Sequence, residues 1–177
     1  MVILETGRLS LRELTLADAV FVLKLLNDPG FHQYIGDRGI RDVAGAEKYL
    51  RDGPIASYAK YGHGLWMVEL KDGRGPVGIC GLLQRDTLPH PDIGFAFLAC
   101  YTGKGYGFES AAAVLRHGLT VLKMPVILAI TAEENPTSIS LLGKLGFRFD
   151  KMIQMPAYPG PSRLFVRSDL VPSPSSG

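Results

Sequence analysis

The sequence predicts a single mixed α/β domain. The 177-residue chain has the length of one domain, helix-like and strand-like hydrophobic patterns alternate along it, and no repeat or change of composition divides it. The predicted order of elements is β-α-α-β-β-β-α-β-α-β-β. We expect the domain to cover residues 1–170 and the Pro- and Ser-rich residues 171–177 to form a disordered tail.

The composition excludes several classes of protein. The formal net charge is only +2 and the basic residues are scattered, so neither a nucleic-acid partner nor a membrane surface is expected. No apolar run approaches the roughly 18 residues that cross a bilayer, and residues 1–5 do not begin a signal peptide. Cys80 and Cys100 have no C-x-x-C spacing and no His at metal-ligand spacing. We therefore expect a cytoplasmic protein without a metal site.

The first third of the chain predicts a strand and two helices. Alternation predicts a strand over residues 8–14, and Thr15 then caps a helix that the segment Asn27-Asp28-Pro29-Gly30 ends. Residues 31–41 look irregular, a second helix is predicted over 43–51, and Gly53-Pro54 should break or kink it.

The rest of the chain predicts a hairpin followed by alternating strands and helices. The segments 64–70 and 76–83 are the two strands of the hairpin. The remaining predicted elements are a strand over 92–98, a helix over 108–122, a strand over 126–131, a helix over 136–145, and strands over 147–155 and 162–169.

A glycine-rich loop precedes the strongest predicted helix. It reads Tyr101-Thr102-Gly103-Lys104-Gly105-Tyr106-Gly107, and glycines at alternate positions allow successive N–H groups to face one concavity. The helix that follows adds its positive N-terminus, so the loop predicts a phosphate or pyrophosphate site. The alternative interpretation is a flexible connection in a chain with 21 glycines.

Two common phosphate-binding motifs do not fit this loop. A P-loop needs Ser or Thr after its Gly-Lys, whereas Gly105 follows Lys104. A dinucleotide fingerprint needs glycine where Phe108 stands, and it belongs near the start of a β-α-β unit.

Four separated segments together carry a more specific signal. In chain order they are Asp92-Ile93-Gly94-Phe95, Gly103-Lys104-Gly105-Tyr106-Gly107-Phe108-Glu109, Asn135-Pro136-Thr137-Ser138 and Lys144-Leu145-Gly146-Phe147. With them the chain resembles the acetyl-CoA core of the GNAT superfamily, and most closely its ribosomal-protein N-terminal alanine acetyltransferase branch. The opening Glu5-Thr6-Gly7-Arg8-Leu9 and the Asn27-Asp28-Pro29 segment also resemble that branch, so the likeness extends over residues 5–170.

The resemblance implies a fold and a cofactor site. The expected fold is a mixed, mostly antiparallel central sheet with helices on both faces, splayed at the strand that binds acetyl-CoA. Main-chain groups of Phe95, Ala96 and Phe97 would pair with the pantetheine arm, and Asn135 would hydrogen-bond to it. The pyrophosphate would be held by the amides of Gly103, Lys104, Gly105, Tyr106, Gly107 and Phe108. Thr102 departs from the Gln or Arg usual at its position, which predicts weaker or altered CoA binding.

Acetyl transfer to an amine needs an acid for the departing thiolate and no covalent enzyme intermediate. Cys100 is therefore not required as a nucleophile. Ser138, in the first turn of the helix after Asn135, is the leading acid candidate, because the resembled branch has a serine there. The alternatives are a solvent-facing or backbone-bonded serine and an Asn135 that is only a helix cap.

Three side chains are candidates for the base that deprotonates the amine. Asp92 precedes the Ile93-Gly94 pair, Glu69 lies in an otherwise apolar strand where burial would raise its pKa, and His90 has a suitable intrinsic pKa. Asp92 and Glu69 rank nearly level, and no base is needed if the amine arrives neutral.

The acceptor is not specified by the sequence. Aromatic and imidazole side chains that could border its cleft are Phe31, His32, Tyr34 and Tyr158. The resemblance implies a peptide N-terminus as the acceptor. We expect the protein itself to be a monomer or a homodimer. A small-amine acetyltransferase and a non-catalytic acyl-CoA-binding module are the alternatives.

Overall fold

The computed structural model describes residues 1–168, and the predicted tail lies outside them. Eight strands form one sheet in the order β1-β2-β3-β4-β5-β6-β8-β7. The strands are β1 (Val2–Glu5), β2 (Leu9–Glu13), β3 (Leu65–Leu70), β4 (Gly75–Leu83), β5 (Asp92–Phe97), β6 (Val126–Ala132), β7 (Arg148–Gln154) and β8 (Pro161–Ser168). Every neighbouring pair is antiparallel except β5 and β6, which confirms the expected mostly antiparallel sheet.

Helices cover both faces of the sheet, as expected. They are α1 (Ala19–Leu26), α2 (Pro29–Tyr34), α3 (Val43–Leu50), α4 (Ala56–Tyr61), α5 (Tyr106–Thr120) and α6 (Pro136–Lys144). On one face, Trp66 and Val68 of β3 belong to a core with Val114 of α5. On the other, Met67 packs in a second core with Val22 of α1. Alternate residues of one strand therefore serve two cores, because successive side chains point to opposite faces.

The N-terminal third differs from its sequence prediction. The short outer strand β1 was not predicted, and its Val2 is 55% exposed, so it lacks a strong hydrophobic pattern. The predicted helix end at residues 27–30 is instead also a helix start. Pro29 occupies the first position of α2, and the Asp28 carboxylate accepts the Gly30 amide hydrogen at 3.0 Å.

At Gly53-Pro54, where a break or kink was predicted, the α-helix is interrupted but the chain does not leave the helical conformation. A π-helical turn over Arg51–Ile55 joins α3 to α4, and Pro54 lies buried within it. The wider turn relieves the clash that a proline ring makes with the preceding turn of an α-helix, so the chain stays helical.

The sheet opens at its one parallel pair. β5 and β6 pair only at Asp92 with Leu128 and at Ile93 with Ala129. Along the same strand, β5 stays paired with β4 as far as Phe97. The last four residues of β5 therefore have a neighbour on one side only, and the expected splay is confirmed.

Candidate active site

The gap between β5 and β6 opens into a large cavity. Its volume is about 1240 Å³, and its walls come from both strands, from the N-terminal parts of α5 and α6, from α2 and α3, and from the loops before β5 and β8. The cavity lies where the sheet lacks main-chain partners, so it offers both space and free peptide groups.

The edge of β5 presents alternate peptide groups to this gap. The Leu128 amide donates to the Pro91 carbonyl at 2.8 Å, so odd-numbered residues of this segment direct their polar groups toward β6. By the same alternation, the main-chain groups of Phe95 and Phe97 face the gap. The Ala96 carbonyl points the other way, since a Cβ on Gly78 of β4 would lie 2.4 Å from it. Ala96 still lines the cavity, as do Phe95 and Phe97.

The glycine loop has the shape that free amides require. Gly103 and Gly105 have φ values of +75° and +83°, a region that favours glycine, and Gly105 is the N-cap of α5. The first in-helix amide bond joins Glu109 N to the Gly105 carbonyl. The amides of Tyr106, Gly107 and Phe108 consequently have no partner within the helix. Every residue from 101 to 108 except Lys104 lines the cavity.

Arg8 holds the loop from outside. Its Nε donates to the Glu109 carboxylate at 2.7 Å and its Nη1 to the Lys104 carbonyl at 3.0 Å. Its guanidinium carbon lies 4.6 Å from the centroid of the Tyr106 ring. Lys104 is exposed and does not line the cavity, so its contribution to the loop is this main-chain contact.

Thr102 has a local role. Its hydroxyl donates to the Ala99 carbonyl at 2.8 Å and closes the short turn after β5. The Ala99 amide donates to the Asp28 carboxylate at 3.2 Å. The carboxylate that caps α2 therefore also holds the start of the glycine loop.

Asn135 and Ser138 lie on the opposite wall of the cavity, at the start of α6. Asn135 is buried and caps the helix, because its Oδ1 accepts the Ser138 amide hydrogen at 3.2 Å. Within residues 1–168, no acceptor is paired with the Asn135 Nδ2. Ser138 is half-buried with its hydroxyl unpaired among the same residues, and both side chains line the cavity.

Asp92 is the buried carboxylate of the site. It is 1% exposed and receives the Arg85 Nε at 3.0 and 3.2 Å on its two oxygens. Burial raises the pKa of Asp92 to about 6, although the positive charge of Arg85 opposes the shift. At neutral pH this carboxylate is mostly ionised and has a higher proton affinity than an exposed aspartate.

The other two base candidates lie elsewhere. Glu69 is not among the lining residues, and its carboxylate binds the Arg12 guanidinium at 2.8 Å. His90 lines a separate cavity of about 720 Å³ beside β6, β7 and β8. The structure therefore brings Asp92 and Ser138 into one cavity and leaves Glu69 and His90 outside it.

The same cavity is lined by the four side chains that were predicted to border the acceptor, Phe31, His32, Tyr34 and Tyr158. It also contains three that the sequence did not single out, Arg38, Tyr49 and Arg85. Arg85, two positions after the predicted hairpin, was the one with a usable signal, because it lies close in sequence to Asp92.

Two further properties concern the described part of the chain. No helix within residues 1–168 is long and apolar enough to cross a membrane. In the same range, no cluster of three or more His, Cys, Asp or Glu side chains has the arrangement of a metal site.

Known proteins share the sequence pattern and the fold of this chain. The family model of the acetyltransferase (GNAT) domain matches residues 8–148. An uncharacterized N-acetyltransferase p20 of Bacillus licheniformis is 27% identical over 155 residues, which cover 85% of each chain.

Two solved structures share the fold at low identity. The acetyltransferase of Agrobacterium tumefaciens superposes with a TM-score of 0.79 at 20% identity, over 96% of this chain and 95% of its own. RimL, a ribosomal L7/L12 alpha-N-protein acetyltransferase solved with coenzyme A, superposes with a TM-score of 0.82 at 12% identity, over 95% and 98%. Since the family model spans most of the chain, the protein belongs to the GNAT acetyltransferase family.

Proposed function

We propose that this protein transfers the acetyl group of acetyl-CoA to a primary amine by direct attack while both substrates are bound. One observation carries the proposal: a single cavity joins an unpaired strand edge, a glycine loop at a helix N-terminus and a buried carboxylate. Each feature alone is common, but a thioester on a long pantetheine arm that is joined to a diphosphate needs the first two together.

The residues of the cavity fit coenzyme A. The main-chain groups of Phe95 and Phe97 suit the amides of the pantetheine arm, which would extend the sheet as an added strand does. The amides at residues 106–108 and the positive end of α5 suit the pyrophosphate. The unpaired Nδ2 of Asn135 suits a carbonyl of the arm, because the helix cap uses only its Oδ1.

Asp92 is the proposed base. Acetyl-CoA supplies the activated acyl group, so the protein has to supply proton transfer and orientation. An amine attacks only when it is neutral, and a carboxylate with a pKa of about 6 accepts a proton near neutral pH more readily than an ordinary aspartate does. Its oxygens are held by Arg85, which fixes their orientation.

Ser138 is the proposed acid for the departing thiolate. Its amide is fixed by Asn135, and its hydroxyl lies in the wall across from β5. The N-terminal turn of α6 favours negative charge, which helps a hydroxyl that donates its proton in this position.

A protein N-terminal α-amine is the proposed acceptor. This follows the resemblance to the ribosomal-protein branch, and RimL, which shares the fold, is described as an alpha-N-protein acetyltransferase. A small-molecule amine is the second candidate, because one acyltransferase scaffold serves many acceptors.

Two measurements test the proposal. Calorimetry with coenzyme A is expected to give saturable binding, and thiol release from acetyl-CoA is expected to depend on an added amine. The assay is run over a panel of short peptides and small amines. Absence of CoA binding would overturn the proposal, whereas binding without acetylation of any amine would indicate a non-catalytic acyl-CoA-binding module.

A further inference from the structure

The acceptor half of the cavity contains two guanidinium groups, from Arg38 and Arg85. Arg38 lies in the loop between α2 and α3, and Arg85 in the loop between β4 and β5. The two loops are distant in the sequence, so the shared position of the two arginines in one cavity is a property of the fold. From this arrangement, and on the basis of the proposed function, we infer that the acceptor amine carries a carboxylate that Arg38 and Arg85 bind.

Arg85 has unused donors. The side chain is 25% exposed, and its hydrogen bonds to Asp92 come from Nε alone. Burial lowers the pKa of Arg85, but its interactions with Asp92 and Tyr158 outweigh this effect and raise the pKa above its usual value, so the group stays charged. A guanidinium bound through Nε keeps its Nη groups for a second planar partner, and a carboxylate matches that geometry.

Arg38 has no ion-pair partner within residues 1–168. The neighbouring carboxylate, Asp37, is taken by Arg41, and His32 approaches it at 3.7 Å. Arg38 is an exposed residue that lines the cavity.

The pKa of the Tyr49 phenol responds to the charges around it. Burial raises the pKa of Tyr49, and the positive charges of Arg38 and Arg85 act on it in the opposite direction. The phenol therefore lies within the field of both guanidinium groups. Tyr49 and Tyr158 both contribute neutral hydroxyl groups to the cavity. These hydroxyls can donate hydrogen bonds to an anion, but they do not neutralise the two arginines.

The carboxylates of the cavity offset only part of this charge, because Asp92 pairs with Arg85 whereas none of them pairs with Arg38. Asp28 accepts two main-chain amides, and Asp92 is occupied by Arg85 Nε. The remaining one, Glu133, is exposed in the loop between β6 and α6. A cationic acceptor such as a polyamine would have to place its second ammonium group near two arginines, which is unfavourable.

The same charges assist the chemistry. A nearby positive charge lowers the pKa of an amine, so an acceptor held at Arg38 and Arg85 loses its ammonium proton more easily. A carboxylate on the acceptor thus gives binding energy, while the arginines favour the reactive neutral amine.

Matched acceptors test the inference. The small-molecule set is 4-aminobutyrate, 4-aminobutyramide and 1,4-diaminobutane, which have a similar chain with a carboxylate, an amide or an amine. The peptide set has Ala first and Asp, Asn or Lys second. We expect kcat/KM to be at least about tenfold higher for the carboxylate member than for the amide member, as for hydrogen bonds to a charged group. Which set shows the preference tells whether the carboxylate belongs to a small molecule or to a peptide.

Two variants assign the preference to the arginines. Arg38→Met is expected to reduce the ratio of carboxylate to amide kcat/KM up to about fivefold, because Arg38 is exposed and its charge is screened. Arg85→Met is expected to abolish the ratio, but it leaves Asp92 unpaired, so its melting temperature is measured alongside. The matched control is Arg116→Met, an exposed arginine of α5 that does not line the cavity, and it should leave the ratio unchanged.

The outcomes are distinguishable. A carboxylate preference that Arg38→Met weakens and Arg116→Met does not would support the inference. Equal use of carboxylate and amide, or a preference for the diamine or the Lys peptide, would overturn it while amine acetylation itself stands. If no amine is acetylated, the proposed function fails and this inference with it.

Discussion

The two halves of the cavity are built from different parts of the chain. The half proposed for coenzyme A comes from one stretch, residues 92–108, joined by the start of α6, and it relies on main-chain amides and carbonyls. The acceptor half relies on side chains from distant segments, among them Arg38, Tyr49, Arg85 and Tyr158. The difference implies that the half proposed for coenzyme A tolerates changes of side chain but not of backbone shape. The acceptor half should be sensitive to changes of side chain and less sensitive to backbone shape.

Ser138→Ala tests the proposed acid, which lies where the two halves of the cavity meet. We expect kcat to fall about 10²-fold or more, the usual contribution of a positioned acid. Affinity for coenzyme A, measured by calorimetry, should stay the same, because the Asn135 cap uses the main-chain amide of residue 138. An unchanged kcat would remove Ser138 from the mechanism. Thr137→Ala, one position earlier in the same helix turn, is the control.

Asp92→Asn tests the base and predicts a pH dependence. Because ionised Asp92 accepts the proton and its pKa is about 6, kcat/KM of the wild type should fall as pH drops through 6. The variant should lose about 10²-fold at pH 7 and lack this acidic limb. A variant that keeps the limb would show that another group titrates. The difference in kcat/KM between the wild type and the variant should become smaller at high pH, where the amine is already neutral.

Gly105→Ala tests the backbone-built half. At φ +83° an alanine costs about 1–2 kcal/mol, so we expect KM for acetyl-CoA to rise about tenfold with little change in acceptor preference. Gly62→Ala is the matched control, since Gly62 has φ +77° at the end of α4 and does not line the cavity. Equal KM values in the two variants would contradict a special role for the loop.

Arg8→Met tests the outer support of the same loop. The ion pair with Glu109 is half exposed, so its loss should raise KM for acetyl-CoA only about threefold and leave kcat unchanged. Arg8→Lys keeps the charge but not the two-directional contact to Glu109 and Lys104. We expect it to restore less than half of the loss, and full restoration would mean that charge alone matters.

The contrast also explains what the sequence could predict. Glycines at alternate positions before an apolar helical stripe are a local signal, and the loop and α5 were predicted within two residues of the observed start. The core strands β3 to β6 were predicted for the same reason, since their patterns are short range. Asp92 and Ser138, the two catalytic candidates that line the cavity, were singled out because each adjoins a local motif.

The charged part of the acceptor half could not be predicted, because Arg38 and Arg85 come into one cavity only through the fold. Arg38 and Arg85 looked like two of many scattered basic residues, and Glu69 looked buried until its partner Arg12 on β2 was known. The segment at residues 27–30 was predicted only as a helix end, and α1 does end at Leu26, but a capping carboxylate before a proline equally marks the start of α2.

Asp28 gives this architecture a last consequence. One carboxylate oxygen receives the Gly30 amide of α2, and the other receives the Ala99 amide after β5. We therefore expect that a shift at the end of β5 on binding of one substrate moves α2, which borders the site of the other substrate. The two ligands should influence each other's dissociation constants by an equal factor, as thermodynamic reciprocity demands. Asp28→Asn, which weakens the tether, should bring that factor toward unity.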